Sequence, residues 1–145
     1  MVFLQYLTTV FDTIDEAIML IGIEPHDTFR LLMANAGFSR ATGHTIDDIG
    51  KLVSEIVEPV TYKRLVPHYL KVVKTKKPVS FTEWYDVPLG RLVYEVKFIP
   101  ILNAVGECVH IACVTRNVTE MHRLREQLAE TVETLEQVAH NLKQL

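Results

Sequence analysis

From Thr119 to the last residue, apolar side chains return every three or four positions, the spacing of one face of an α-helix. With Met121 as heptad position a, Met121, Leu128, Leu135 and Leu142 occupy a, while Leu124, Thr131, Val138 and Leu145 occupy d. Glu, Gln, Arg and His fill most of the rest, so one apolar stripe is left facing a partner helix, as in a two-stranded coiled coil. Thr131 is the single polar residue in that seam. Immediately upstream the period changes from helical to alternating. Gly106 to Val118, Leu92 to Ile101 and Val79 to Val87 read as three strands, with Leu92, Tyr94, Val96 and Phe98 on one face of the middle one. Pro88-Leu89-Gly90 and Asn103-Ala104-Val105-Gly106 supply the turns between them.

The first half of the chain mixes both periods. Ala17 to Ile23 and Phe29 to Met33 are short apolar runs around Glu24-Pro25-His26-Asp27, which predicts a hairpin. Residues 35 to 51 read as two short helices: Gly43 suits the left-handed end of the first, and Thr45 caps the second with Asp48 three residues on. Leu65, Tyr69, Val72 and Val73 place a longer helix over Tyr62 to Thr75, with lysines at its negative pole and Pro78 beyond it. The opening MVFLQYLTTVF has the length and hydroxyl content of an amphipathic helix that packs on the domain or a second copy, rather than of a membrane span. The resulting organisation is an N-terminal helix over residues 1–13, an α+β domain over 14–118 and a C-terminal helix over 119–145.

Composition narrows the functional classes. With 145 residues, 48% of them hydrophobic, the chain can bury one core and still extend a helix from it. A formal charge of −3, with Lys and Arg scattered, offers no basic stripe for a nucleic-acid backbone. Cys108 and Cys113 lie in one predicted strand at odd spacing, which directs them to opposite faces; without a CxxC pattern they imply reduced thiols, a cytoplasmic setting and no metal site. The chain has no glycine-rich phosphate loop, no G-x-S-x-G and no metal-spaced histidine cluster, so it is not expected to be an enzyme by itself.

The order strand, strand, short helices, longer helix, three strands, output helix resembles the PAS family of sensory domains. Asn35, Phe38, Thr42-Gly43 and Asp47-Asp48-Ile49-Gly50-Lys51 are similar to that family's N-x-x-F-x-x-x-T/L-G-Y-x-x-x-E-L-I-G-K stretch. Thr75-Lys76-Lys77-Pro78-Val79 leads into the three-stranded meander, and Asn117-Val118-Thr119-Glu120 looks like the D-I/V-T-E junction before a signalling helix. The resemblance implies a PAS fold: a five-stranded antiparallel sheet with short helices on one face. Asn117 stands where the family usually has Asp. Its side-chain oxygen is suited to cap the helix while Glu120, at the third helical position, reaches back, so Asn117, Thr119 and Glu120 are the candidate relay residues.

A pocket between the long helix and the meander would then have Tyr69, Phe81, Tyr94 and Phe98 as candidate ligand-binding residues for a small apolar or organic molecule. Light-sensing LOV members of the family use a cysteine about where Lys51 to Val57 lies, and this segment has none, which argues against a flavin adduct. The family's haem histidine would fall near Leu65, one helical turn before His68, which argues against haem; the cofactor is therefore unknown. Ala139-His140-Asn141-Leu142-Lys143 resembles the phosphoacceptor box of sensor histidine kinases, and His140 falls at solvent-facing position f, making it a candidate phosphoacceptor. The combined reading is a cytoplasmic PAS module, homodimeric through its C-terminal helix, from a sensor histidine kinase. A module serving a cyclic-nucleotide enzyme or a transcription regulator, or a ligand-free dimerisation domain, are the alternatives.

Overall fold

The computed structural model of the chain describes residues 2–88 and 90–145. Helix α1 (Val2–Thr13) is followed by strands β1 (Ala17–Glu24) and β2 (Thr28–Ala34) and helix α2 (Ala36–Thr42). A single 3₁₀ turn (Ile46–Asp48) and helices α3 (Val53–Ile56) and α4 (Pro59–Thr75) come next. Strands β3 (Val79–Val87), β4 (Gly90–Leu102) and β5 (Cys108–Asn117) then run into the 25-residue helix α5 (Thr119–Lys143). The five strands form one sheet in the order β2-β1-β5-β4-β3, with every neighbouring pair antiparallel. Strand β5 is last in sequence and central in space.

Helices α2, α3 and α4 lie on one face, where Phe38, Val53, Tyr69 and Val72 join Ala17, Ile21, Phe29, Leu31, Phe98, Ile111 and Cys113 in a single core. Alternation in the strands explains that membership, since residues two apart share a face. Helix α4 starts three residues before the expected Tyr62 because Pro59 is its first residue, where a missing N–H costs nothing and the fixed φ is already helical. It ends at Lys76, whose left-handed backbone (φ 56°) lets its N–H donate to the Val72 carbonyl.

One sequence expectation needs correction, and of the two neighbours expected for the first helix one is removed. The β4–β5 ladder slips after Ile101, which pairs with His110, whereas Leu102 pairs with Cys108. That extra residue in β5 inverts the facing phase, so half-buried Cys108 packs against the same core as buried Cys113 instead of pointing away from it. Both thiols remain free. Helix α1 does not lay its apolar side chains on the domain: Phe3, Leu4, Tyr6 and Val10 are each at least 59% exposed. Only its C-terminal end is tied down, by the Phe11 carbonyl and the Asp12 carboxylate.

The Ala36 N–H makes the second of these ties and Asn35 the first. This residue is buried, and its Oδ1 accepts from the Ile18 and Phe38 N–H groups at 2.9 and 3.1 Å while Nδ2 donates to the Phe11 and Glu16 carbonyls at 3.0 and 2.9 Å. One side chain thus serves α1, β1 and α2 together. Neighbouring Gly37 is required by contact, because a Cβ there would sit 2.3 Å from the Glu16 carbonyl oxygen. Asn35→Ala removes all four of these hydrogen bonds, leaving only the Phe38 N–H a second acceptor in the residue 35 carbonyl, and is expected to lower stability by about 2 kcal/mol. Urea unfolding followed by circular dichroism checks this; a loss near zero would mean that water replaces the side chain at no cost.

Candidate functional site: a cavity beside the root of the last helix

Helix α4 crosses the sheet over β3, β4 and β5, and its aromatic residues fill only one end of the space beneath it. Tyr69 stands between Phe29 and Phe98, with ring centroids 4.6 Å away on each side, and Phe98 meets the edge of Phe81 at 5.2 Å. His68 stacks on the outer face of Phe81 at 3.7 Å. On the other side of Tyr69 the side chains are shorter. A cavity of about 380 Å³ opens there between Leu65 and Tyr69 of α4, Val53 and Ile56 of α3, Phe38 of α2, and the sheet. Its sheet wall is built from Met19 and Ile21, Leu31, Tyr94, Val96 and Phe98, and Cys113 and Thr115. That size suits a small organic molecule.

Three of the four aromatic residues expected at a pocket, Tyr69, Tyr94 and Phe98, stand on this wall, whereas Phe81 is turned toward His68 and away from it. His68 is likewise absent from the wall, and the segment from Lys51 to Val57 contributes Val53, Ile56 and Val57. Burial holds the Tyr69 phenol well above its ordinary range and pushes the Cys113 thiol up, so neither group is charged near neutrality. Sequence reasoning missed the polar corner. Glu83 is 7% exposed, accepts a hydrogen bond from the Tyr85 hydroxyl and lies 4.0 Å from the Arg64 guanidinium, which also covers the Tyr85 ring. Burial and that bond to Glu83 raise the Tyr85 phenol far above its ordinary range. The available signal was an acid in phase with Val79, Phe81 and Tyr85 on the inward side of a strand.

The same strand that supplies Cys113 and Thr115 reaches Asn117, then turns into α5. At the turn the Val118 N–H donates to the Val93 carbonyl at 2.9 Å, and the Val93 N–H donates to Thr119 Oγ1 at 2.9 Å. Asn117 Oδ1 receives the Thr119 hydroxyl at 2.6 Å and the Thr119 N–H at 3.0 Å. The expected reach-back by Glu120 does not occur; its carboxylate pairs with Arg123 at 2.6 Å. Pairing of Asn117 with Tyr94 carries the ladder one residue further, so the helix starts at Thr119 and Glu120 falls at the second helical position, too early for a capping box. A second contact holds the first turn of α5: the His122 ring meets half-exposed Trp84 edge-on at 5.3 Å, with Arg91 over the indole at 5.5 Å. Beyond it α5 stands free, and His140 is exposed near the far end beside Gln144.

Among the described residues no three metal-ligating side chains converge, and no helix is long and apolar enough to cross a membrane. The sequence profile of the PAS fold family matches residues 14–123. None of the curated protein sequences matches the chain. Among solved structures, an RNA-binding light-oxygen-voltage receptor superposes with a TM-score of 0.64 at 22% identity; the match covers 94% of this chain and 38% of the receptor, so the chain spans well under half of that protein. The PAS domain of Bordetella pertussis BvgS gives 0.60 at 22% identity, covering 92% of this chain and 99% of that one. A sensory box histidine kinase/response regulator from Burkholderia thailandensis gives 0.55 at 12% identity, covering 92% and 98%.

Stacking on Phe81 gives His68 a measurable signature. Its imidazole is held below the ordinary 6.5, first by burial and then by Lys71, against an opposing pull from Glu83. The unfolded chain therefore takes up a proton that the folded chain resists, and stability falls as the pH drops below 6.5. Against His68→Phe, which keeps the stack without the titration, the wild-type chain should lose stability over that range. Parallel stability–pH curves from chemical denaturation would show that the ring titrates as it does in water.

Proposed function

The chain belongs to the PAS fold family of sensory domains, and we propose that it binds a small organic ligand in the cavity and relays its presence through α5 to a second copy of itself. One observation carries this reading: β5 is at once a wall of the cavity, through Cys113 and Thr115, and the stem of α5. A ligand that presses on β4 and β5 strains the bonds of Val118 and Thr119 to Val93, and the helix amplifies a small rotation at its root over a length of about 37 Å. Asn117 and Thr119 act as the hinge; Glu120 contributes through its pair with Arg123.

The partner of α5 follows from its exposed stripe. Leu124, Leu128, Leu135, Val138 and Leu142 are 49–64% exposed at coiled-coil spacing, an arrangement that a second parallel helix relieves. Beside polar Thr131, Val132 (45% exposed) widens the seam at its weakest point. The output domain is that of a sensor histidine kinase on this reading, supported by the similarity of Ala139-His140-Asn141-Leu142-Lys143 to a phosphoacceptor box. The exposed position of His140, off the a/d seam, is in keeping with that role.

Light scattering coupled to size exclusion tests the dimer. The full chain should elute as a dimer at low micromolar concentration, and a chain ending at Glu120 as a folded monomer; a dimer that persists after truncation would move the interface to α1 or the sheet. Phosphorylation tests the output. Joined to a histidine-kinase ATP-binding domain, the chain should acquire acid-labile, base-stable phosphate that His140→Gln abolishes without dissolving the dimer. Label that survives the substitution would leave His140 an ordinary surface residue.

A further inference from the structure

A buried acid in an apolar wall asks for a partner, and Glu83 is incompletely served. A carboxylate has about four acceptor positions. Among the described residues one hydrogen bond reaches it, from Tyr85 to Oε2, and the nearest Arg64 nitrogen lies 4.0 Å from that same oxygen. Each fully enclosed side-chain nitrogen or oxygen atom among the described residues has a hydrogen-bond partner, yet Oε1 has none, so Oε1 retains an open surface. Glu83 itself forms part of the cavity wall, as do Thr61 and Tyr85. The same wall includes Leu65, Tyr94 and Val96, which offer a ligand body apolar and aromatic contact.

We propose that the cavity takes a compact, uncharged, ring-bearing molecule carrying one N–H or O–H donor, and that Glu83 Oε1 receives this donor. The inference rests on the cavity being the ligand site. The chemistry follows from the exchange of partners on binding: in the empty cavity Oε1 keeps water, and a ligand that displaces this water without replacing its hydrogen bond leaves a carboxylate buried and short of donors. An apolar molecule without a donor therefore loses part of what its burial contributes. A carboxylate or phosphate fares worse, since it would bring like charge against Glu83, and Arg64, which is turned to Glu83 and Tyr85, does not line the cavity. Discrimination between a donor and an isostere lacking it is strong at such sites because the protein's own polar group is left unpaired.

Indole and indene make the test, being rings of equal size that differ in one N–H. Each is titrated to millimolar concentration into the full ¹⁵N-labelled chain, with the amides of Tyr94, Val96, Cys113 and Thr115 as reporters. Indole should bind about tenfold or more tightly than indene, the size of a hydrogen bond to a charged group. In Glu83→Leu both should bind and the difference should vanish; Glu83→Gln, which keeps shape and hydrogen bonding to Tyr85, should reduce it and serves in place of the leucine variant if that one unfolds. Equal affinities in the wild-type chain, or a preference that survives in both variants, would overturn the role of Glu83 while leaving the cavity a ligand site. If neither ring moves the reporter amides, the ligand-site reading itself falls, and this assignment with it.

Discussion

The last strand to be made is the one on which the sheet closes. Strand β5 inserts between β1 and β4, pairing with β1 from Gly22 back to Ala17 and with β4 from Leu102 back to Tyr94. Until it arrives, the β1–β2 hairpin and the β3–β4 hairpin are separate two-stranded ribbons, each too small to be stable alone. Their union needs contacts between residues nearly a hundred positions apart, such as Ala17 with Thr115, which places the fold among those of high contact order. The same topology ties the sheet to the last helix. A central strand cannot shift without both neighbours registering it, and this one continues into α5.

Coverage of the sheet explains the cavity. The aromatic column from Phe29 through Tyr69 and Phe98 to Phe81 holds α4 at a height set by ring thickness and width. Away from that column, Val53, Ile56 and Thr115 are too short to fill the gap that the rings impose, and a space of about 380 Å³ remains. Unfilled apolar space lowers stability through lost dispersion contacts, so the cavity is a standing weakness that a ligand can offset. Glu83 stands in its wall, and β4, which lines it through Leu92 and Tyr94, carries between them the Val93 that is bonded to Thr119.

Polar side chains pin the elements that hydrophobic contact alone would leave loose. Asn35 joins α1, β1 and α2, and Thr119 with Asn117 joins β4, β5 and α5. Both are short side chains bonded to backbone, which fixes geometry at little entropic cost. The second lies at the point where the central strand passes into the last helix.

Periodicity carried the elements, and the family resemblance their arrangement: the alternation of Leu92, Tyr94, Val96 and Phe98, the helical spacing of Leu65, Tyr69 and Val72, and that of Met121 to Leu142 each reflect a local backbone repeat that a short sequence window contains. Asn35 was legible as a cap residue for the same reason, since capping acts within three residues, whereas the cap position expected for Asn117 falls to Val118. What sequence could not supply were events set by neighbours far along the chain. The slip after Ile101 brings Cys108 to the core face, the ladder partner Tyr94 delays the start of α5 and frees Glu120 for Arg123, and the aromatic column turns Phe81 away from the cavity. Glu83 is the clearest case. As a residue in an alternating strand it reads as an inward acid, but whether it meets a partner, water or empty space depends on where α4 places Arg64 and where Tyr85 ends up, and only the packed structure decides that.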